Sequence, residues 1–278
     1  MARSWFITGV SSGLGRALAE AALEAGDRVA GSVRSGQAKS AFEALAPGRS
    51  LGCVADVTDA PALTGAIQAA EAALQGIEVL VNNAGYGIVG AVEETHLDEA
   101  RAQFETNVFG ALAAIQAVLP FMRARRAGHI VNITSVSGLA AWAGTGVYCA
   151  SKFALEGLGQ ALAQEVAPLG IKVTNVAPGG MRTAYAGRSL QCAQRVIDDY
   201  DGPGHFAGET LSQHAGQERG DPRRAAAAIL KLVESGDAPM HLLLGSDAVH
   251  YATRAMGTFQ IEMGEWADLT MSTAFPED

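Results

Sequence analysis

Tyr148 and Lys152 stand four residues apart in the stretch Tyr148-Cys149-Ala150-Ser151-Lys152, and Ser135, which closes an apolar run, precedes the tyrosine by thirteen. If the segment is helical, this spacing sets the phenol and the ammonium on one face, close enough for the charge to act on the hydroxyl. A free tyrosine holds its proton too tightly to exchange it readily near neutral pH, and a neighbouring cation favours the phenolate. Tyr148 thereby becomes a usable acid or base, and the three side chains together suit a hydride-transfer site. A Tyr and a Lys at this spacing also suit an exposed helix face, so the rest of the chain must decide.

A frame for such a site shows in the first 176 residues, where β-branched apolar runs alternate with alanine-rich stretches. That is the pattern of a parallel sheet covered on both faces. Strands are predicted at 4–8, 28–33, 50–55, 79–82, 129–134 and 172–176, with helices at 14–25, 60–74, 97–125 and 147–167. After Pro178 a polar, Gly-rich stretch runs through Gly220; it is too long for an ordinary connection and is predicted to be a lid over about 180–220. Asp221-Pro222 then opens a helix over 223–234, with the Asp as cap and the Pro in the first turn. Residues 241–244 read as a seventh strand, 247–266 as a helix and 272–278 as a poorly ordered tail. The expectation is a single domain over residues 1–278 with a C-terminal extension from about 247. Its fold class is α/β: a doubly wound Rossmann fold whose parallel seven-stranded sheet carries helices on both faces.

Composition narrows the function. A chain of 278 residues with 49% hydrophobic content supplies a substantial core, and its net charge of −9 argues against nucleic acid as a partner. The apolar run at the N-terminus stops at Thr8, too short for a signal-peptide core. Residues 108–122 are strongly apolar but read as a buried helix, and no membrane span is expected. Cys53, Cys149 and Cys192 are widely spaced and form no Cys-x-x-Cys pair, as suits reduced thiols in the cytoplasm. The six histidines show no metal-ligand spacing, so no metal site is expected.

The first predicted strand runs into Thr8-Gly9-Val10-Ser11-Ser12-Gly13-Leu14-Gly15 and then a helix. A glycine-rich turn in this setting lets the backbone approach a pyrophosphate, whose charge rests on the free amides of the helix N-terminus. The spacing is Gly-x-x-x-Gly-x-Gly rather than Gly-x-Gly-x-x-Gly. At the end of the second strand an acidic residue would bind the ribose 2′-hydroxyl of NAD, but this chain has Val33-Arg34. An arginine there can pair with a 2′-phosphate, with Ser11 and Ser12 as further donors, which points to NADP(H); a solvated arginine is the plainer alternative. Asp56-Val57 and Asn82-Asn83-Ala84-Gly85 end the third and fourth strands, where the ligand crevice of an open parallel sheet lies. Asp56 can reach the adenine edge and the Asn83 to Gly85 turn can face the ribose.

Assembled in order, the glycine motif Thr8 to Gly15, Asp56, Asn82-Asn83-Ala84-Gly85, Asn107, Ser135, Tyr148, Lys152 and Pro178-Gly179 resemble the short-chain dehydrogenase/reductase family in its compact single-domain branch. The resemblance covers almost the whole chain. From Pro178-Gly179-Gly180-Met181-Arg182-Thr183 onward, with Leu242 to Asp247, the pattern is most similar to retinol and 17β-hydroxysteroid dehydrogenases. The resemblance implies Tyr148 as general acid, Ser135 as the hydrogen-bond donor that orients the carbonyl oxygen, and Lys152 as the group that lowers the tyrosine's pKa and holds the nicotinamide ribose. It also implies that Asn107 anchors a water serving Lys152, although a buried Asn in a helix can be purely structural. Met181 and Thr183, after the Pro178-Gly179 turn, would lie at the nicotinamide end, with Thr183 on the carboxamide.

Residues 136–147, between serine and tyrosine, are apolar apart from small hydroxyls and should wall the substrate pocket. Leu139, Trp142 and Val147 could touch substrate, with Met181 and Tyr185 approaching from the lid; Trp142 could equally pack on its own fold. A small hydrophobic ketone, aldehyde or secondary alcohol is the expected substrate. Within the lid, Arg188, Arg195, Asp198, Asp199, His205 and His214 offer polar groups, the histidines reading as solvated. The family resemblance implies a homodimer or homotetramer through the two long central helices, whose apolar faces could instead be spent on the sheet. Two other functions suit the same fold. Reduction of a carrier-bound 3-oxoacyl group would call for a basic docking surface, which the net charge does not supply. A non-catalytic NADP-binding redox sensor would not need Asn107, Ser135, Tyr148 and Lys152 together.

Overall fold

Alternation along the first strand sets the layers. β1 (Ser4–Ile7) sends Trp5 and Ile7 into one apolar cluster and Phe6 into another, all three fully buried. Successive side chains of a strand leave opposite faces, so a strand buried on both belongs inside a covered parallel sheet. The computed structural model, which describes residues 2–183, 189–213 and 215–275, has that sheet. The remaining strands are β2 (Arg28–Val33), β3 (Ser50–Val54), β4 (Val79–Asn82), β5 (Gly87–Val89), β6 (Gly128–Ile133), β7 (Ile171–Pro178), β8 (Leu190–Cys192) and β9 (His241–Leu244). Seven of them pair in the order β3-β2-β1-β4-β6-β7-β9, every pair parallel. The doubly wound Rossmann fold read from the sequence is therefore present. Strand order reverses between β1 and β4, and ligands of such sheets bind beyond the carboxyl ends at that switch.

Helices cover both faces. They are α1 (Gly13–Glu24), α2 (Gly36–Glu43), α3 (Ala60–Leu74), α4 (Leu97–Phe104), α5 (Gly110–Arg125), α6 (Gly146–Val166), α7 (Pro203–Gln213), α8 (Pro222–Glu234), α9 (Ser246–Glu265) and α10 (Ala267–Met271). Leu18 of α1 and Ile229 of α8 join Trp5 and Ile7 on one side, while Leu63 and Ile67 of α3, Ile115 of α5 and Leu162 of α6 join Phe6 on the other. Asp221 caps α8 as expected, accepting from the Arg223 amide at 2.8 Å.

Several elements differ from the sequence reading. The helix predicted over 97–125 is interrupted by a π-helical turn, Glu105–Phe109, which carries Asn107. By length and composition the Leu97–Arg125 run could cross a membrane, yet Ala114, Ile115, Val118 and Met122 of it are buried in the fold. α2 escaped prediction because it is eight residues long with Phe42 alone buried, too short for a periodic signal; Ser35 caps it by accepting from the Ala38 amide at 3.2 Å. The stretch read as an irregular lid holds regular structure: β8 pairs in parallel with β5, and α7 follows. Residues 184–188, Tyr185 and Arg188 among them, lie outside the described residues, as does His214. In the tail, Ser272 donates its amide to the Asp268 carbonyl at 3.0 Å, extending the last helical turn, and 276–278 are outside the described residues.

Candidate active site

The turn after β1 is shaped by what it must pass. Gly9 has φ +75° and Gly13 φ +62°, a region that costs an L side chain strain and glycine nothing. A Cβ on Gly15 would fall 2.3 Å from Asn83 Nδ2 and 2.5 Å from the Gly9 carbonyl, so the third glycine permits close packing of the turn. Asn83 holds the turn from β4: its Nδ2 donates to the carbonyls of Thr8 at 2.9 Å and Gly9 at 3.2 Å. The Thr8 hydroxyl accepts from the amides of Asn83 and Ala84 at 2.9 and 3.0 Å. The result is an α1 N-terminus open to a cleft, with the hydroxyl of its cap residue, Ser12, not engaged in capping. Free amides in that position form an anion site.

At the other end of the cleft, α6 starts at Gly146, which places Tyr148 in its first turn and Lys152 one turn on. The ammonium lies 5.9 Å from the centroid of the tyrosine ring and donates to the Ile133 carbonyl at 3.0 Å. Burial pulls the Lys152 pKa down to about 8, while nearby Glu156 acts to raise it. Ser135 follows β6; its Oγ accepts from the Ser137 amide at 3.0 Å, which leaves the hydroxyl proton to point elsewhere. Glu156 is itself buried and accepts from the Thr134 hydroxyl and from Asn175 Nδ2, both at 2.6 Å. Asn175 accepts from Asn132, and Asn132 from Asn82, so a polar row crosses three paired strands beneath the site.

The Asn107 side chain is held on three sides. Its Oδ1 accepts from the Tyr86 amide at 3.1 Å, and its Nδ2 donates to the Tyr86 carbonyl and the Ser151 hydroxyl, each at 3.0 Å. The π turn pushes this side chain inward, where it clamps the backbone next to Gly85, whose Cβ position is 3.6 Å from Lys152 Nζ. The side chain is occupied in positioning the turn.

One cavity of about 1450 Å³ joins the two ends. It is lined by Gly9, Ser11, Ser12, Gly13, Leu14, Arg34, Asp56, Val57, Asn83, Ala84, Gly85, Ser135, Trp142, Tyr148, Lys152, Pro178, Gly179, Met181 and Thr183, all singled out from the sequence. Asp56 is partly engaged there, accepting from the Thr58 amide and hydroxyl at 3.0 and 2.9 Å. Gly15, Asn107, Leu139 and Val147 are absent from the lining: Gly15 and Asn107 lie behind it for the reasons given, Leu139 ends the short 3-10 turn 136–138, and Val147 enters α6 beside the loop rather than at its tip. Tyr185 lies outside the described residues. The structure adds Val89 from β5, Phe206 and Leu211 from α7 and Tyr251 from α9, distant segments that no local spacing connects. Tyr251 meets Trp142 edge-on, with ring centroids 5.3 Å apart and planes at 89°.

A buried carboxylate fastens the segment of Ile197 and α7 to the rest of the fold. Glu94, 1% exposed, accepts from the amides of Ala91 and Ile197, both at 2.7 Å, and lies 2.7 Å from His205 Nε2 of α7. His205 Nδ1 is 2.9 Å from Asp201, so both ring nitrogens face carboxylates and both act as donors when the ring is protonated. The Glu94 bond, followed by that of Asp201, raises the His205 pKa, and His205 in turn holds Glu94 down to about 2. His205, expected to be solvated, is instead held between two carboxylates. Gly144 and Gly204 let loop and lid touch: a Cβ on Gly144 would sit 2.3 Å from the Gly204 carbonyl.

The chain has relatives in both sequence and fold. The sequence profile of the short chain dehydrogenases matches residues 4–192. Oxidoreductase BOA17 of Botryotinia fuckeliana is 37% identical over 276 residues, covering 99% of this chain and all of its own. A 3-ketodihydrosphingosine reductase of Bacteroides thetaiotaomicron is 35% identical, covering 86% of each chain. Human retinol dehydrogenase 8 is 38% identical over 72% of this chain and 65% of its own. Among solved structures, a short-chain dehydrogenase from Streptomyces avermitilis superposes with a TM-score of 0.92 at 40% identity, covering 99% of this chain and 100% of that one. ElxO with NADP bound gives 0.72 at 26% identity over 88% and 97%. A Burkholderia phymatum family member in complex with NAD gives 0.79 at 22% over 100% and 98%, a likeness of fold.

Proposed function

The chain belongs to the short-chain dehydrogenase/reductase family, and from that premise we propose an NADP(H)-dependent reductase of hydrophobic ketones or aldehydes, or the matching alcohol dehydrogenase. One observation carries the reading: Ser135, Tyr148 and Lys152 converge with the Gly9 to Leu14 turn on a single cavity.

The cleft suits a nicotinamide dinucleotide. Gly13, where a Cβ would meet only Thr183 at 3.8 Å, leaves the mouth of the cleft open, and the α1 amides face the space where a pyrophosphate would lie. Arg34, exposed at the cavity rim, with Ser11 and Ser12, would hold a 2′-phosphate. Asp56 and Val57 would border the adenine, Asn83, Ala84 and Gly85 the riboses, and Pro178, Gly179, Met181 and Thr183 the nicotinamide end. When bound, the cofactor supplies or takes up hydride.

The protein's part is the proton. In the reducing direction Tyr148 gives its phenolic proton to the carbonyl oxygen, and Ser135 donates a hydrogen bond to the same oxygen. Both donors are in place before negative charge develops, so no reorganisation is needed when it does. Lys152, charged below about pH 8, favours the phenolate that remains. Asn107 keeps Gly85 beside that ammonium.

For the substrate, Val89, Trp142, Phe206, Leu211 and Tyr251 line one part of the cavity with apolar surface, which favours a lipophilic carbonyl. Two relatives named for retinol and a ketosphingoid lipid support the same class. The three free cysteines suit a reducing compartment such as the cytoplasm. The test follows NADPH and NADH absorbance against a panel of lipophilic ketones, aldehydes and alcohols. Turnover of NADPH with a lipophilic ketone supports the reading; cofactor binding without turnover on any compound overturns it in favour of a sensor.

A further inference from the structure

We propose that Glu156 is a positioning residue for the proton transfer at Tyr148: its carboxylate, one turn beyond Lys152 on α6, is the counter-charge that sustains the ammonium beside the tyrosine ring. The inference rests on the reductase reading for its effect on turnover, and on the fold alone for the pairing of charges. Among the described residues the buried Asp, Glu, Lys and Arg side chains are Asp27, Glu94, Lys152 and Glu156. Asp27 accepts from the Arg3 amide and the Trp5 indole, and Glu94 is taken by His205. Lys152 and Glu156 remain, opposite in sign and 6% and 2% exposed. A buried charge with no opposite charge nearby tends to neutralise, so each of these keeps the other ionised.

The sheet holds the carboxylate in place. Thr134, directly after β6, donates its hydroxyl to Oε1, and Asn175 of β7 donates Nδ2 to Oε2, both at 2.6 Å. Each oxygen therefore accepts, the pattern of a carboxylate rather than of a carboxylic acid. Among the described residues, the titratable side chain that faces Glu156 from another element is His241, which opens β9 and sets Nε2 3.5 Å from Oε2. His241 is 38% exposed, so solvent screens it, whereas the path from Glu156 to Lys152 runs through protein. Gly138 closes that path to water. A Cβ there would fall 2.8 Å from the Lys152 carbonyl and 3.0 Å from Glu156 Cγ, so the glycine lets the turn after Ser135 press on α6 between the two residues. Charges act on each other more strongly where water is excluded. Burial lowers the Lys152 pKa and Glu156 opposes it, the sign this arrangement requires.

The experiment titrates Lys152 directly. The chain's lysines are Lys39, Lys152, Lys172 and Lys231, so NMR of the full chain with isotope-labelled lysine gives four Cε signals, and Lys152→Met identifies the one that matters. In wild type that signal should titrate near pH 8, and in Glu156→Gln about one unit lower. Glu156→Met is measured beside it, because Thr134 and Asn175 keep backbone carbonyls, those of Val176 and residue 156, as acceptors when the carboxylate goes. Glu156→Asp disturbs the same contacts but retains the charge, and should return the midpoint toward wild type; a purely structural role would leave it displaced with the neutral variants. The alkaline fall of ketone reduction should move with the NMR midpoint in each variant. An unmoved Lys152 midpoint in a folded neutral variant overturns the proposal, as does a midpoint that moves while the rate profile stays. Wild type without turnover counts against the reductase reading alone, since the titration decides the charge pairing by itself.

Discussion

Lys152 donates from Nζ to the Ile133 carbonyl at 3.0 Å, two residues before Ser135, so the ammonium beside the Tyr148 ring is fixed to the strand that leads to the serine. Burial holds its pKa down to about 8. Below that pH the charge is present and the tyrosine is a competent acid; above it the charge is lost. Ketone reduction should therefore fall as pH rises through about 8. Stability moves the other way. An unfolded chain whose lysine titrates near 10.5 binds the proton the folded chain has released, so this site's burial cost is relieved as pH rises from about 8 toward 10.5. Lys152→Met should remove both trends, which pH–rate profiles and melting temperatures of the two proteins will show. A rate profile that stays flat across pH 8 counts against the assignment.

Tyr148→Phe keeps the ring and removes the proton. Loss of a positioned general acid costs about 10²–10⁴-fold in turnover, and NADPH binding should persist because the cradle at Gly9 to Leu14 is untouched. Ser135→Ala removes one donor to the developing oxyanion and should cost about 10²–10³-fold. Steady-state rates paired with fluorescence titration of NADPH separate the two effects. Wild-type turnover in Tyr148→Phe would sink the mechanism.

Arg34→Ala addresses cofactor choice. Hydrogen bonds to charged groups contribute about 1.5–3 kcal/mol, so kcat/KM with NADPH should drop by roughly 10- to 100-fold while that with NADH holds steady. If the ratio of the two does not move, Arg34 is a solvated side chain at a strand end.

The Glu94–His205 bond predicts a pH-dependent lid. A histidine whose folded pKa is raised contributes stability that is full below its ordinary value near 6.5 and is lost as pH climbs past the raised value. Glu94, held down to about 2, stays charged throughout this range, so mild acid does not undo the contact. His205→Asn should speed proteolysis within 190–213 and raise KM at pH 6. The gap from wild type should close at alkaline pH. Equal cleavage rates at pH 6 would show that the bond does not hold the lid.

The sheet and the Tyr148–Lys152 juxtaposition were legible because each rests on local signals: alternating apolar runs, a cap at Asp221, and the four-residue spacing of Tyr148 and Lys152 on one helix. What escaped depends on contacts between distant segments. Asn107 was singled out in the sequence, but its contact with Tyr86, 21 positions earlier, and the π turn that carries it were not. The packing of Asn83 over Gly15, which leaves no space for a side chain there, joins positions 68 apart in the chain. Glu94 and His205 lie 111 positions apart, and nothing in either neighbourhood announces the other.

Tyr251 belongs to the same class and carries the last prediction. It reaches the cavity from α9 and meets Trp142 edge-to-face, so two residues over a hundred positions apart form one aromatic wall. Edge-to-face pairs contribute about 0.5–1.5 kcal/mol beyond the area they bury, and residues in contact couple when both are changed. Tyr251→Ala and Trp142→Ala should each widen the apolar end, raising KM for small ketones while sparing or improving bulky ones. Made together, they should cost less than the product of their separate effects, because the second change breaks a contact already lost. The measurement is a double-mutant cycle on kcat/KM with one small and one bulky ketone. Strict multiplicativity with both substrates would mean that the two rings act separately, and that Trp142 serves its own loop rather than the pocket.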